Sequence, residues 1–349
     1  MLKWAKYFAL KKYDVHVISF VGDESYVCGT GIHLHVVNVS TPVQLALALG
    51  AIRKLVRQIK PDIIHGHYIG LYGLAAALCG FSPVILTAWG SDILIAPQNL
   101  FKRCFVRYSL GKAECVTCDA EHMKSAMIKL GVPERKIKII MFGVDTQKFS
   151  PGPRNTELLF KLGLSEQAFI VVSLRSFYPI YDIPTLIRAA AEIVKENPST
   201  RVVLVGGGPQ EADLRKLVSD LSIEKNVVFA GKVPYDDIPD YVRLGHVYVS
   251  TSLSDGGLAS STAEAMASGV LAVVSDNLDN RLWIDDGRNG LLFKPGDYYS
   301  LAEKILEYNN NRASAVTCAA AGRETIVERD DYFNEMAKME AVYLQIAKS

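Results

Sequence analysis

Cysteine is scarce, at six in 349 residues, too few and too scattered for a disulfide framework. Cys115 and Cys118 have the spacing of a metal clasp, but no second Cys or His pair follows at finger-like spacing. Glu114 to Asp119 therefore reads as a short strand entering a turn, with ordinary buried thiols. Net charge is almost absent: 38 Lys and Arg against 37 Asp and Glu leave +1, which excludes a uniformly basic nucleic-acid binder. A secretory leader is not visible in Met1-Leu2-Lys3-Trp4-Ala5-Lys6, which lacks an apolar core. An unbroken membrane-length run is missing as well. The uncharged stretch Tyr68 to Ser91 comes nearest, but Gly80-Phe81-Ser82-Pro83 divides it into a buried helix, a turn and a buried strand. The expected setting is reducing and cytoplasmic.

What is present is a chain long enough for two domains, with 49% apolar residues to build their cores. The small net charge conceals a segregation. Residues 1–140 hold 17 Lys and Arg and 9 Asp and Glu, a net of +8, and residues 141–349 carry −7. Such asymmetry raises the question of an anionic surface or ligand for the first half, against chance segregation of solvated charge.

Along the chain, apolar strands alternate with helices. The first half reads as helix Leu2 to Lys12, strands at Val15–Phe20 and Leu34–Val39, and helix Pro42–Lys60. Strands then follow at Ile63–His65, Val84–Thr87, Glu114–Thr117 and Ile137–Met141. Helices near Gln98–Leu110 and at Met123–Leu130 lie between them, the latter stopped by Gly131 and Pro133. Phe142 to Pro153, with Gly143, Pro151, Gly152 and Pro153, is the linker candidate. The second half repeats the alternation, with strands at Ala168–Ser173, Arg201–Val205, Val227–Phe229, Val247–Ser250 and Leu271–Ser275. Its helices fall at Ile183–Glu196, Asp213–Leu221 and about Ser261–Ser268. Continuous apolar strands alternating with helices predict parallel sheets covered on both faces. The fold class is therefore α/β: two Rossmann-like, doubly wound domains facing a cleft, with ligands at the carboxyl ends of the strands. The expected domains are 1–150 and 151–330, with 331–349 a C-terminal helix.

Two loops have the composition for chemistry. Gly206-Gly207-Gly208-Pro209 lies between a strand and a helix, where backbone can approach an anionic group. It is not a G-x-G-x-x-G fingerprint, and a tight turn explains it equally well. Ser252 to Gly269 is a polar, glycine-bearing loop leading into a helix with Ser260, Ser261 and Thr262 as capping candidates. Glu264 then serves either as a first-turn charge in a capping box with Ser261, or as an acceptor for two ribose hydroxyls.

In these segments the sequence resembles the retaining glycosyltransferases of the GT-B fold, the large family 4 group, over nearly its whole length. Glu264-Ala265-Met266-Ala267-x-Gly269 is similar to that family's signature helix, and Phe142-Gly143-Val144-Asp145-x-x-x-Phe149 to its hinge. Val205-Gly206-x-Gly208-Pro209 is similar to its glycine turn. Arg175 follows a strand where the family keeps an arginine. Ser275-Asp276-Asn277 with Asn280-Arg281, and Asn289-Gly290-Leu291-Leu292-Phe293-x-Pro295-Gly296-Asp297, match its last segments.

The resemblance implies transfer of a sugar from a nucleotide-sugar with retained anomeric configuration. Taken together with the residues themselves, it leads to Arg175, Asp255 and His67 as the expected catalytic groups. Donor binding goes to Gly206, Gly208, Val233, Leu258, Ala259, Ser260 and Glu264, and the acceptor side to Trp89 and Asp92. It implies no cofactor and no metal, in keeping with the lack of a usable Asp-x-Asp cluster; the nucleotide-sugar is a substrate. The C-terminal helix is expected to return to the first domain.

The chain departs from the family's pattern in four places. It starts at the family's first helix, without the usual opening strand and glycine-rich loop. No Lys follows Arg175 in Ser176-Phe177-Tyr178-Pro179-Ile180-Tyr181-Asp182. The first signature glutamate is replaced by Gly256, with Asp255 beside it. The active-site His before Gly-x-Asp is Trp89, in Thr87-Ala88-Trp89-Gly90-Ser91-Asp92. Asp255 reads as a substitute carboxylate or a solvated turn residue. Trp89 reads as a sugar-stacking ring or a packing residue. His67 reads as a hydrogen-bonding group for sugar or acceptor, or as structural. His65 and His67 alone lack a third metal ligand.

The basic half holds one more feature. In Asn99 to Lys112, Phe101, Phe105 and Tyr108 fall on one helical face among Lys102, Arg103, Arg107 and Lys112. The expectation is a domain helix that buries its aromatic face. The alternative is a basic amphipathic helix resting on an anionic membrane at the inner face of the cell, serving a lipid-linked or polysaccharide acceptor. Besides a metal-independent glycosyltransferase, a nucleotide-sugar epimerase on the same fold and a non-catalytic sugar-nucleotide binder fit the sequence.

Overall fold

The computed structural model describes residues 2–22, 27–255 and 257–347. The chain divides into two compact units, Met1–Phe142 with Phe333–Ser349, and Gly143–Tyr332.

Among the described residues the first unit has six strands, β1 (Val15–Ser19), β2 (Ile32–Val36), β3 (Ile64–His67), β4 (Val84–Thr87), β5 (Cys115–Cys118) and β6 (Ile137–Ile139). β1 and β2 pair in parallel, and β3-β4-β5-β6 form a second, four-stranded parallel sheet. β4 and β5 are buried along their whole length, which is why they read as unbroken apolar runs. Burial pushes the Cys115 and Cys118 thiols on β5 up to about 11, so both stay protonated. The helix Pro42–Ile59 starts where the Thr41 side chain accepts from Gln44 N and Pro42 takes the first turn. It ends at Lys60 in the left-handed region, and it buries Leu45, Ile52 and Val56.

Several elements differ by a residue or two from the bounds their composition implies, and for two of them the physical reason is plain. The second strand is Ile32–Val36 rather than Leu34–Val39, because parallel pairing sets Ile32 opposite Val15 and the β-branched Val37 and Val39 fall past its end. The basic helix is Leu100–Lys112 rather than Gln98–Leu110. Asn99 caps it, accepting from Phe101 N and Lys102 N at 3.1 and 3.2 Å, and Ala96–Gln98 forms a separate turn. The uncharged stretch Tyr68 to Ser91 contains helix Leu71–Leu78 and β4. Among the described residues no helix is long and apolar enough to cross a membrane.

Among the described residues the strands of the second unit form one six-stranded parallel sheet of β7 (Ile170–Ser173), β8 (Arg201–Val205), β9 (Val227–Gly231), β10 (Val247–Ser250), β11 (Leu271–Ser275) and β12 (Leu291–Phe293). The spatial order is β12-β11-β10-β7-β8-β9. Helix Ile183–Glu196 buries a broad face, Ile183, Leu186, Ile187, Ala190 and Ile193, against one side of the sheet. Leu158, Leu159, Tyr241 and Leu244 cover the other side.

The chain enters and leaves this unit along paired segments. Val144 N donates to Asp330 O at 2.8 Å and Tyr332 N donates to Val144 O at 2.9 Å. Gly143 has φ +77°, and a Cβ there would lie 2.5 Å from Tyr332 Cα, so only glycine fits. The following helix, Tyr332–Ala347, places Tyr343 and Glu340 in the first unit, where Glu340 accepts from Lys11 Nζ and Tyr13 Oη at 2.9 and 3.1 Å.

Candidate functional site

In the second unit the chain begins its sheet at β7, then adds β8 on one side and β10 on the other. The crevice of such a sheet opens at the carboxyl ends where the winding reverses, between β7 and β10. Arg175, two residues past β7, meets the loop that follows β10 at that point. Its Nη1 donates to Ser261 Oγ at 3.1 Å, its Nη2 reaches Ser252 Oγ at 3.5 Å, and its guanidinium pairs with the Asp255 carboxylate. The guanidinium lies 4.2 Å over the ring of Tyr181. Arg175 is only 9% exposed, and its Nε has no partner among the described residues.

Asp255 is not a solvated turn residue. Its side chain is buried, with Oδ1 accepting from Ser252 Oγ at 3.0 Å and from Arg175. Burial pushes its carboxyl above the usual aspartate value, opposed by the Arg175 charge. Gly256, the position of the family's first signature glutamate, lies outside the described residues.

The helix Ser260–Ala267 begins one residue earlier than its capping candidates imply. Ala259 is the N-cap and offers no side-chain bond, leaving the first N–H groups of the helix without an intrahelical acceptor. Ser261 Oγ goes to Arg175 and to Tyr248 Oη, the latter at 2.8 Å, so it forms no capping box with Glu264. Glu264 falls beyond the first turn and is buried, accepting from Tyr235 Oη at 3.0 Å. Burial, and then the Glu264 charge, push the Tyr235 phenol far above its ordinary range. Lys148 Nζ sits 4.3 Å over the Tyr235 ring. Val233, in the same loop after β9, is half-buried against the apolar layer below. Leu258 is half-buried, Ala259 buried and Ser260 exposed.

Gly206 and Gly208 position this arrangement through packing. A Cβ on Gly206 would lie 2.8 Å from Arg175 O, and one on Gly208 2.5 Å from Phe177 O. The turn is laced to the Arg175 segment by Phe177 N donating to Gly207 O at 3.1 Å and Gln210 N to Phe177 O at 3.2 Å. Gly208→Ala is therefore expected to destabilise the chain by about 1–3 kcal/mol through overpacking. Gly207→Ala, whose Cβ would meet only the Lys232 side chain, is expected to be tolerated. Denaturant titration of the two variants checks this.

The first unit gathers His67, Trp89 and Asp92 at the carboxyl ends of β3 and β4. Asp92 is fully buried and acts as a pin: Oδ2 accepts from Ile69 N at 2.7 Å and Oδ1 from Trp89 N at 3.0 Å. Burial raises its carboxyl above the ordinary value, and those backbone donors oppose the rise. Trp89 is 39% exposed and packs on Phe142 with ring centroids 4.6 Å apart. His67 stacks on His65 at 4.2 Å and meets the edge of Trp4 at 5.2 Å, and its Nδ1 has no partner among the described residues. His65 bonds Tyr343 Oη and Thr87 Oγ1, both at 2.6 Å, tying the C-terminal helix to β3.

Desolvation holds the His65 imidazole down at about 3 and His67 well below its ordinary value of 6.5. A folded-state value below the unfolded one means that the unfolded chain binds more protons between the two. The stabilisation is complete above pH 6.5 and is lost as pH falls toward about 3 for His65. Each such histidine contributes a slope of up to about 1.4 kcal/mol per pH unit in that window. Unfolding followed from neutral to acidic pH is expected to show this slope, and His65→Gln to flatten it.

The basic helix Leu100–Lys112 reverses the expected burial. It turns Val106, Ser109 and Leu110 inward, while Phe101 is 81% exposed and Phe105 and Tyr108 are each 43% exposed. The core side needs small and branched residues against β4 and β5, which leaves the aromatic face in solvent among Lys102, Arg103 and Arg107.

Several groups around Arg175 and Glu264 carry no sequence signal that would have singled them out. Tyr181, Tyr235 and Tyr248 are common residue types in loops or strands, brought in by strand order alone.

Comparison with known proteins gives two family models on this chain: "Glycosyl transferase 4-like" over residues 1–120 and "Glycosyl transferases group 1" over residues 154–325. The Escherichia coli UDP-Gal:alpha-D-GlcNAc-diphosphoundecaprenol alpha-1,3-galactosyltransferase is 26% identical over 310 residues, covering 86% of this chain and 79% of that protein. A GDP-mannose-dependent alpha-(1-6)-phosphatidylinositol monomannoside mannosyltransferase of Mycobacterium tuberculosis is 27% identical over 265 residues, covering 74% and 68%. Among solved structures, a glycosyltransferase from Rickettsia africae superposes with TM-score 0.88 at 17% identity, covering 100% of this chain and 94% of that one. Anabaena HepE in complex with UDP superposes with TM-score 0.82 at 21% identity, covering 99% and 94%.

Proposed function

This chain belongs to the GT-B group 1 glycosyltransferases, and on that premise we propose that it moves a sugar from a nucleotide-sugar donor to a lipid-linked acceptor. We infer further that transfer retains the anomeric configuration and uses no metal. The observation that carries the donor reading is Arg175 at the winding reversal of the second unit, beside the uncapped N-terminus of Ser260–Ala267. The Arg175 guanidinium and the N–H groups of Leu258 to Ser261 offer positive charge to a diphosphate, aided by the helix dipole. Glu264 accepts from the ribose hydroxyls.

In the reaction the bond from the anomeric carbon to the diphosphate oxygen breaks. The acceptor oxygen bonds to that carbon on the same face, and its proton passes to the leaving phosphate. The leaving group gains negative charge as the sugar gains oxocarbenium character, so groups fixed in place for the diphosphate favour the transition state over the ground state. Asp255 neutralises Arg175 before donor binding, and an arriving diphosphate takes over part of that contact. His67, held neutral, and Trp89, half-exposed, are assigned to sugar or acceptor contact in the first unit. The relatives that use UDP-Gal and GDP-mannose, and the HepE complex with UDP, support a nucleoside diphosphate-sugar donor without selecting its base. Incubation with a panel of sugar nucleotides tests the reading: free nucleoside diphosphate and a glycosylated lipid are expected, and failure to bind any sugar nucleotide contradicts it.

Two observations support a lipid-linked acceptor. The two curated relatives described above are named for a diphosphoundecaprenol-linked sugar and for phosphatidylinositol monomannoside. The exposed face of Leu100–Lys112 joins aromatic rings to cations, the composition that rests on an anionic bilayer. Vesicles containing anionic lipid are expected to sediment the protein at low salt, and Phe101→Ser with Arg103→Glu to release it. Absence of sedimentation with the unaltered chain contradicts membrane contact.

A further inference from the structure

Three of the chain's seven histidines lie together on β1 and β2, on a sheet separate from the one that carries His67. Parallel pairing sets His16 opposite His33, with His35 two residues further along β2. Asp14 precedes β1 and turns its carboxylate to the same place. His16 Nε2 lies 3.2 Å from Asp14 Oδ1, and His33 Nε2 lies 3.6 Å from the same oxygen. One ligand atom from each of Asp14, His16 and His33 lies within 4.8 Å of the others. The His16 and His33 rings stack, with centroids 4.6 Å apart.

We infer that Asp14, His16 and His33 form a binding site for a divalent transition metal of the zinc class. Ligands about 2.0–2.1 Å from a tetrahedral ion are roughly 3.3 Å apart, close to the two separations seen here. Two imidazoles and a carboxylate suit Zn²⁺ and are the wrong donors for Mg²⁺ or Ca²⁺. Three protein ligands leave a fourth position for water or an incoming group.

The surroundings provide an independent sign. His16 Nδ1 is 3.0 Å from His35 Nε2, and those two rings are parallel within 4°. A neutral imidazole holds one proton. With that proton on Nδ1 and given to His35, the lone pair of His16 points from Nε2 toward Asp14. Metal-binding histidines are commonly oriented in this way by an acceptor on the other ring nitrogen. His35 is thus a positioning residue, not a ligand.

This site is separate from the proposed sugar transfer, and its test does not use turnover. Zn²⁺ is titrated into the full chain near neutral pH against a chromophoric chelator, with Mg²⁺ in parallel. One Zn²⁺ per chain is expected to bind with micromolar or tighter affinity and without competition from Mg²⁺. The double variant His16→Ala with His33→Ala loses that equivalent, as does Asp14→Asn, a substitution at an exposed carboxylate that leaves folding intact. His35→Ala weakens binding about 10-fold. His122→Ala, at an exposed histidine of helix Glu121–Lys129, keeps it. Cys28 and Cys104 are exposed thiols and set a background that the double variant isolates. No saturable Zn²⁺ binding, or binding unchanged in both the double variant and Asp14→Asn, overturns the site.

Discussion

Arg175→Ala is expected to lower turnover about 100- to 1000-fold, the usual effect of removing one fixed donor aimed at developing negative charge. The same substitution also strands Asp255. Its carboxylate is buried, bonded otherwise, among the described residues, to Ser252, and held above its ordinary protonation value by desolvation. Breaking one side of a buried ion pair costs about 3–5 kcal/mol, so a fall in activity alone would be ambiguous. The double variant Arg175→Ala with Asp255→Ala separates the two effects. It removes both charges, and most of the lost stability is expected to return while turnover stays low. Melting and nucleotide release measured on all three proteins give the answer. Turnover restored along with stability would mean that Arg175 serves the fold and not the reaction.

Glu264→Ala is expected to raise the Kd for nucleoside diphosphate about 10- to 100-fold, the worth of hydrogen bonds from two hydroxyls to a carboxylate. Its stability should change little, because Tyr235 Oη belongs to a residue 41% exposed and can turn to water. The ribose is bound equally before and during transfer, so the loss is expected in KM with kcat nearly preserved. Glu264→Gln keeps one acceptor oxygen and is expected to fall between. An unchanged Kd in Glu264→Ala would leave the residue a packing role against Tyr235.

How much of this was legible in the sequence depends on whether the signal is local. Helix Ile183–Glu196 and strands Arg201–Val205, Val247–Ser250 and Leu271–Ser275 have the bounds that the apolar pattern implies, because both faces of a parallel strand are apolar and clear breakers flank them. The second strand of the first unit shifted because register with β1, a long-range property, outweighed local β-branching. The exposed aromatic face of Leu100–Lys112 escapes the sequence pattern for a related reason. Periodicity finds a face but not which side of the helix the sheet takes, and Val106 and Leu110 fit β4 and β5 better than the bulkier rings do.

The site divides along the same line. Arg175, Glu264 and the glycine turn stand in recognisable segments. Their physical partners do not: Asp255 on Arg175, Tyr181 under its guanidinium and Tyr235 on Glu264 come together only through the order β10-β7-β8-β9. Gly206 and Gly208 read equally as a phosphate cradle or a tight turn, and the distances to Arg175 O and Phe177 O assign them at least a packing role. The cluster of Asp14, His16 and His33 was invisible for want of a sequence spacing, since parallel pairing joins two stretches that no motif links.

The most direct test of the account is a crystal structure of the chain soaked with nucleoside diphosphate. The diphosphate is predicted beside Arg175 and the N-terminus of Ser260–Ala267, with the ribose hydroxyls on Glu264 and the Asp255 contact to Arg175 loosened. A nucleotide bound elsewhere in the second unit, with the Arg175–Asp255 pair intact, would contradict it.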